Sequence, residues 1–265
     1  MRFLLALVSI LIIEEKEKFT YRIFLSIIIS VKMEEVVSFI PLIMIYKVKS
    51  KMINKERIHL NLNVILLSVG ILAVIFYFLH VILGTFNYPG YDFLSQAVSD
   101  LTSDGSPSKE IARFFSSLYG VLSSLVMIGF LYTFRNEKIK ILKIGVYLLS
   151  SMYIISAVGY ALFPLSSNTQ INNIQNMMHI VVTIVVVLLT ISSLILLAIS
   201  FNKINRILYF ILTVITFALL MIGSISIGLV PKAYFGLAER LSVFSVVLYL
   251  LVISYFNYCY HKKTA

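Results

Sequence analysis

Residues 87–113 read NYPGYDFLSQAVSDLTSDGSPSKEIAR, and they form the one long polar interval between the apolar segments of the chain. The interval holds Asp92, Asp100, Asp104 and Glu110, which are a third of the acidic residues. Apolar stretches with short connections follow it to the end of the chain. If this protein has a chemical site, we expect this interval to form one wall of it.

The composition indicates that lipid is the solvent of most of the chain. Apolar residues make up 60% of the 265 residues and charged residues only 13%, with a mean hydropathy of +0.97. Soluble domains contain about 45–50% apolar and about 25% charged residues, so an aqueous fold of this size could not bury so much apolar surface. We therefore predict one membrane domain.

Six segments approach or exceed the length of about 20 apolar residues that is needed to cross a bilayer. They are predicted at 61–83, 111–134, 144–163, 174–201, 207–230 and 237–260. The predicted fold is therefore all-α, a polytopic six-transmembrane-helix bundle formed by residues 51–265. The central parts of the six predicted spans carry no Asp, Glu, Lys or Arg, which argues against a proton-coupled transporter or a voltage sensor.

The basic residues that flank these segments are unequally distributed between the two ends. Four lie at the end that carries the polar interval: Lys109, Arg113, Lys232 and Arg240. Thirteen lie at the other end: Lys47, Lys49, Lys51, Lys55, Arg57, Arg135, Lys138, Lys140, Lys143, Lys203, Arg206, Lys262 and Lys263. Because Lys and Arg collect on the cytoplasmic side, this bias predicts a cell-membrane protein whose core has both termini in the cytoplasm.

The same bias accounts for the formal net charge of +10, so no nucleic-acid partner is expected. The chain contains neither an aromatic-and-basic RNA motif nor a zinc-finger spacing. Cys259 is the only cysteine, which excludes an intrachain disulfide and a thiol pair for a metal. No cofactor or metal is predicted, because the histidines also lack the spacing of a metal motif.

Residues 1–50 fit this pattern poorly. Their first apolar run resembles a signal peptide but lacks a cleavage-site pattern, so we do not expect cleavage. Two further runs, 19–31 and 36–46, are too short to cross a bilayer and are expected to be interfacial or re-entrant helices. The alternative is that the native protein starts at Met33 or Met52.

The polar interval is predicted to contain a short amphipathic helix on the outer side. Pro89-Gly90 indicates a turn, and Asp92 is well placed as the helix N-cap. One face of this helix would then be apolar, and it comprises Phe93, Leu94, Ala97, Val98 and Leu101. Ser106-Pro107 is predicted to begin the next helix, with Ser106 as its cap.

Polar residues inside the spans are mostly small hydroxyls, such as the pairs Ser123-Ser124, Ser150-Ser151 and Ser192-Ser193. We expect them to allow close helix packing. The titratable residues collect instead at the outer ends of the spans. This places His80, about one turn from the end of the first span, and Asp92 and Asp100 of the loop near Arg113, His179, Glu239 and Arg240.

Two interpretations of this outer ring stay open. In one, it is a site for a lipid headgroup or a small polar ligand, with Asp or His able to act as a general acid or base. In the other, its charges are ion pairs that fix the loop onto the bundle, namely Arg113 with Asp100 or Glu239, and Arg240 with Asp92.

The order of these features resembles an uncharacterised archaeal and bacterial membrane-protein family, known as domain of unknown function nine hundred and ninety-eight. The resemblance covers residues 58–256, about three quarters of the chain. Its most specific part is Ser95-Gln96-x-x-Ser99-Asp100-Leu101, followed by His179 and by Glu239-Arg240. It implies a six-helix bundle with these residues on one side, and it implies no established activity.

The sequence therefore leaves two functions open. The first is a non-enzymatic membrane protein that binds a lipid or a protein partner through the outer polar site. The alternative is an intramembrane enzyme that acts on a lipid headgroup or a lipid-linked sugar through Asp92, Asp100, His179 and Glu239. A passive channel or carrier, and the oligomeric state, are also left open by the composition.

Overall fold

The computed structural model describes residues 55–166 and 174–262. They belong to one compact unit, Asn54–Ala265. The segments predicted within residues 1–50, the connection 167–173 and the last three residues lie outside the described residues.

Six long α-helices make up this unit. They are α1 (Lys55–Phe86), α2 (Lys109–Thr133), α3 (Lys140–Leu162), α4 (Ile174–Lys203), α5 (Ile207–Leu229) and α6 (Phe235–Lys262). Each is long and apolar enough to cross a membrane, since even 23 residues rise about 35 Å at 1.5 Å per residue. The chain is a multi-pass membrane protein, and the prediction of six spans is confirmed.

The helices run alternately up and down, and each packs against the next along the chain. Helix α1 also packs against α6, so the six helices close into a ring. We call the end where residues 87–108 lie the loop end, and the opposite end, where the basic flanks lie, the basic end. Helix α6 enters the membrane from the loop end, beside the polar interval.

Small residues bring neighbouring helices close together, and one serine of each predicted pair is buried, whereas Ser151 and Ser192 are exposed. Ser123, Ser150 and Ser193 are at most 1% exposed. A Cβ at Gly159 of α3 would lie 2.6 Å from a methyl carbon of Val182 in α4. The buried hydroxyls bond to carbonyls within their own helices, as Ser150 does to Val146 at 2.8 Å, so they serve packing.

The predicted amphipathic helix in the loop is much shorter than expected. A four-residue 3-10 helix, η1 (Ser99–Thr102), is preceded by turns, and α2 begins at Lys109 rather than at Pro107. In an α-helix the Leu94 carbonyl would accept the Val98 N–H. Here Val98 donates to Glu239, and the Leu94 carbonyl accepts from Leu237. Bonds to α6 therefore replace the local helical bonds.

Candidate functional site

Residues 91–102, which we call the lid, cover the loop end of the bundle beside the start of α6. Arg240 of α6 binds them through backbone carbonyls. Its Nη1 atom donates to the carbonyl oxygens of Phe93 and Gln96, each at 2.7 Å, and to that of Gly236 in its own helix at 2.9 Å. One side chain thus holds two points of the lid against α6.

Arg240 is itself deeply buried, with only 2% of its surface exposed. Burying a cation is unfavourable unless hydrogen bonds and counter-charges replace its water. The carbonyls supply part of that replacement, and the Phe93 ring lies 3.9 Å from the guanidinium carbon as a cation–π partner. Both terminal nitrogens of the guanidinium are therefore hydrogen-bonded, whereas its Nε atom has no partner among the described residues.

Tyr91 contributes to the same arrangement, and the sequence did not indicate it. Its hydroxyl donates to the Ala97 carbonyl at 2.6 Å and accepts a hydrogen bond from Arg240 at 2.5 Å. Burial raises the pKa of Tyr91 to about 12, so the hydroxyl stays protonated at neutral pH. A tyrosine beside a turn has no sequence pattern that distinguishes this role.

Two carboxylates bind the backbone N–H groups of the lid. Glu239 accepts from Val98 at 2.5 Å, and Asp100 accepts from Ala97 at 2.9 Å. Burial raises the pKa of Asp100, while the bond from Ala97 and the charge of Arg240 lower it. Both carboxylates therefore accept hydrogen bonds from backbone N–H groups that, in a helix, would bond to carbonyls of the same helix.

Asp92 lies at the exposed tip of the lid. Its Oδ2 accepts from the Ser95 hydroxyl at 2.5 Å, its Oδ1 accepts from the Leu94 N–H at 3.0 Å, and its own N–H donates to the Gln96 side chain at 2.7 Å. The hydroxyl and the N–H lower the pKa of Asp92. Asp92 therefore caps a turn instead of a helix, and it carries a negative charge at the surface.

Arg113 belongs to a separate group around Asp104, which we call the interloop cluster. Asp104 pairs with Lys109 at 2.8 Å and with Arg113 at 3.1 Å, and it accepts from Gln175 of α4 at 2.9 Å. Its backbone N–H also donates to the Leu165 carbonyl at 2.8 Å. The Lys109 and Gln175 side chains lower the pKa of Asp104 to about 2. This cluster ties the lid segment to the connection after α3.

The predicted ion pairs of Arg113 with Asp100 or Glu239, and of Arg240 with Asp92, are wrong. Both ion pairs among the described residues involve the interloop cluster. Arg113 lies nine residues after Asp104 in the sequence and pairs with its carboxylate. The Nε atom of Arg113 donates to the carbonyl of Thr102 in the lid. Arg240 donates its hydrogen bonds to carbonyls rather than to the Asp92 carboxylate.

His179 lies near α3 rather than in the lid. Its Nδ1 is 2.8 Å from the Phe163 carbonyl, and its ring lies 4.9 Å from that of Tyr160. No hydrogen bond or ion pair of the described residues joins it to the lid. The structure therefore brings the lid together with Glu239 and Arg240 and places His179 apart from it. Arg113 belongs to the interloop cluster and contacts only the end of the lid, at the Thr102 carbonyl.

Ser99 completes the predicted set. Its carbonyl accepts from the Thr102 hydroxyl at 3.1 Å, which supports the turn of η1. Within residues 55–166 and 174–262, no group of three or more His, Cys, Asp or Glu side chains could hold a metal ion. The arrangement is a latch of buried hydrogen bonds between the lid and α6.

Residues 71–255 match the model of a family described as Protein of unknown function (DUF998). This range is more than half of the chain and includes the lid, the interloop cluster and most of the six spans. The chain belongs to the DUF998 family. No curated protein and no solved structure matches it.

Proposed function

We propose that this protein is a non-enzymatic membrane protein that binds a membrane lipid at the loop end. The observation that carries the proposal is an exposed apolar surface to which three side chains contribute from neighbouring positions, namely Phe93 and Leu94 of the lid and Leu237 of α6. These side chains are 43%, 44% and 47% exposed. The Leu237 N–H donates to the Leu94 carbonyl at 3.0 Å, so the two residues are neighbours.

The chemistry of this surface fits the boundary of a membrane. Leu237 lies in the first turn of a span, where acyl chains meet headgroups. Asp92 adjoins the apolar side chains with a negative charge, which suits a headgroup that offers hydrogen-bond donors. Because Arg240 fixes the Phe93 backbone and ring, the surface is pre-organised and binding costs little ordering.

The same contacts support binding over the alternative, catalysis on a lipid headgroup or lipid-linked sugar. A general acid or base needs an accessible proton-transfer position. Asp100 and Glu239 already accept lid N–H groups, and His179 already contacts the Phe163 carbonyl. These groups are thereby committed to holding the fold.

Replacing both Phe93 and Leu94 with serine should remove the bound lipid, because the apolar contact surface is lost. We expect lipid that co-purifies with the protein in mild detergent to fall by at least about fivefold in native mass spectra. Phe114→Ser is the matched control, since Phe114 is 42% exposed on α2 outside the lid. Equal lipid content in both variants would refute the proposal, and a co-purifying protein in place of lipid would point to a protein partner.

Asp100→Asn separates binding from catalysis within the same experiment. An asparagine oxygen can still accept the Ala97 N–H, so the latch is retained. The proposal predicts an unchanged lipid composition of cells that express this variant. A changed composition with a folded protein would favour the enzyme.

We further propose that the protein lies in the cell membrane with the loop end outside. The support is the distribution of basic residues in the sequence, with thirteen in the flanks predicted for one end against four in the flanks predicted for the other. Single cysteines can test this in a Cys259→Ser background, at Glu110 and at Lys140. Both positions are exposed and lie in the first turn of a helix, at opposite ends of the bundle. A membrane-impermeant maleimide on intact cells should label only the cysteine at position 110; labelling of position 140 alone would reverse the topology.

A further inference from the structure

A second polar site lies inside the bundle, around His80 of α1. His80 is 3% exposed, and its Nδ1 is 3.1 Å from the Tyr77 carbonyl. A carbonyl can only accept, so in the neutral ring Nδ1 carries the proton and Nε2 is a bare acceptor. That Nε2 has no partner among the described residues. A buried acceptor without a partner is rare in native proteins and calls for an explanation.

Two tyrosine rings belong to the same cluster as His80. The Tyr77 ring lies 5.1 Å from that of His80 and 4.9 Å from that of Tyr119 on α2. The hydrogen bonds of the described residues include none from either hydroxyl. By contrast, the buried Tyr153 donates to the Val246 carbonyl at 2.8 Å, and Tyr249 bonds to a threonine hydroxyl. The hydroxyls of Tyr153 and Tyr249 therefore have hydrogen-bond partners, whereas those of Tyr77 and Tyr119 have none among the described residues.

The group lies below the inner face of the lid. Leu101 of the lid is fully buried against Gly84 of α1 and Ala112 of α2. His80 is one helical turn from Gly84 on the same face, and Tyr119 is seven residues from Ala112 on the same face. The three residues therefore lie on α1 and α2, one to two helical turns from Leu101 toward the basic end.

The charges that act on this group belong to the latch. No charged side chain of the described residues acts on the His80 ring, whereas Glu239 and Arg240 act on Tyr77. Both of these side chains already bind the lid. Phe244 of α6 contributes an apolar wall, with its ring 6.1 Å from that of Tyr77. Because Glu239 and Arg240 are engaged in the latch, a charged headgroup would find no free counter-ion at this site, so a neutral ligand is favoured.

We propose that His80, Tyr77 and Tyr119 bind the hydroxyl group of an uncharged lipid alcohol. A hydroxyl both donates and accepts. The lipid hydroxyl can donate to His80 Nε2 and accept from a tyrosine hydroxyl, so both protein groups gain a hydrogen-bond partner. This site is separate from the outer surface of the lid, and its existence does not depend on lipid binding there.

Photolabelling of the purified full-length protein can test this site. The probe is a diacylglycerol with a diazirine in one acyl chain, and its reference is the same lipid with the hydroxyl converted to a methyl ether. The ether can accept but cannot donate to His80. We expect saturable labelling of α1 or α2 by the alcohol, and labelling by the ether reduced by roughly fivefold or more, the loss expected for a neutral hydrogen bond.

Variants assign the effect to the named residues. His80→Phe and Tyr119→Phe should each lower labelling by the alcohol by roughly fivefold, whereas Tyr153→Phe should leave it unchanged, because that hydroxyl already has a carbonyl partner. Tyr119→Phe keeps the test decisive if His80→Phe does not fold. Equal labelling by alcohol and ether, or by Tyr119→Phe and the unmodified protein, would overturn the proposal. Reduced thermal stability of the variants without saturable labelling would identify the bound hydroxyl as water and would also overturn it.

Discussion

Replacing Arg240 with glutamine is expected to detach the lid from α6 and to lower the free energy of unfolding by at least about 3 kcal/mol. The reason is the number of groups that depend on one side chain. The carbonyls of Phe93 and Gln96 and the hydroxyl of Tyr91 would all lose a charged donor. A glutamine amide is shorter and cannot reach these groups together. The measurements are thermal unfolding in detergent and hydrogen exchange of the lid amides.

Two further variants show whether the loss of stability in Arg240→Gln comes from the missing guanidinium N–H donors or from the missing positive charge. Arg240→Lys keeps the charge but lacks the planar donors, so we expect it to restore little of the loss. Arg113→Gln removes an arginine that makes one carbonyl bond and one ion pair and is 31% exposed, so its effect should be no more than about 1 kcal/mol. Lid amides in Arg240→Gln that exchange as slowly as in the unmodified protein would refute this account of the latch.

The spans and their order could be predicted from the sequence, because lipid imposes a strong and local condition. A segment must be long, apolar and uncharged to cross, and each of the six satisfies this within its own residues. The helix bounds agree to within about four residues at most ends. Helix α1 extends six residues beyond the predicted start at its charged end, where apolarity alone gives no signal.

The conformation of the lid could not be predicted in the same way, because its partners are distant in sequence. Periodicity placed Phe93, Leu94, Ala97, Val98 and Leu101 on one face of a helix. In the structure the last three are at most 5% exposed, while Phe93 and Leu94 face outward. Phe93 and Leu94 face outward because the lid bonds to Glu239 and Arg240 of α6, about 140 residues away. These bonds outweigh the local preference for a helix.

The sequence indicated two of the residues that bind the lid, but it did not indicate which groups they bind. Glu239 and Arg240 do meet the lid, yet their partners are backbone groups that no side-chain pattern can show. The assumption that a buried arginine needs a carboxylate led to the wrong pairs. His80 was visible near the end of the first span, but its lack of a partner is a property of the packed bundle.

Gly236→Ala is expected to have an effect of similar size to Arg240→Gln, although it adds only one carbon. A Cβ at this position would overlap the Gln96 carbonyl oxygen and would lie 2.7 Å from Nη1 of Arg240. These two atoms already bond to each other, so neither can move aside without breaking the latch. Alanine favours a helix over glycine by about 1 kcal/mol, so a loss of about 2–3 kcal/mol would show that the steric term dominates.

Gly228→Ala is the matched control, since a Cβ on Gly228 in α5 meets nothing within 4 Å. It should leave the melting temperature in detergent unchanged or slightly raised, and an equal response of both glycine variants would refute the close contact with the lid. The double variant Gly236→Ala with Arg240→Gln adds a stronger condition. Because both substitutions break the same contact between the lid and α6, their combined loss should be clearly smaller than the sum of the single losses. Additive losses would mean that the glycine and the arginine act on different parts of the protein.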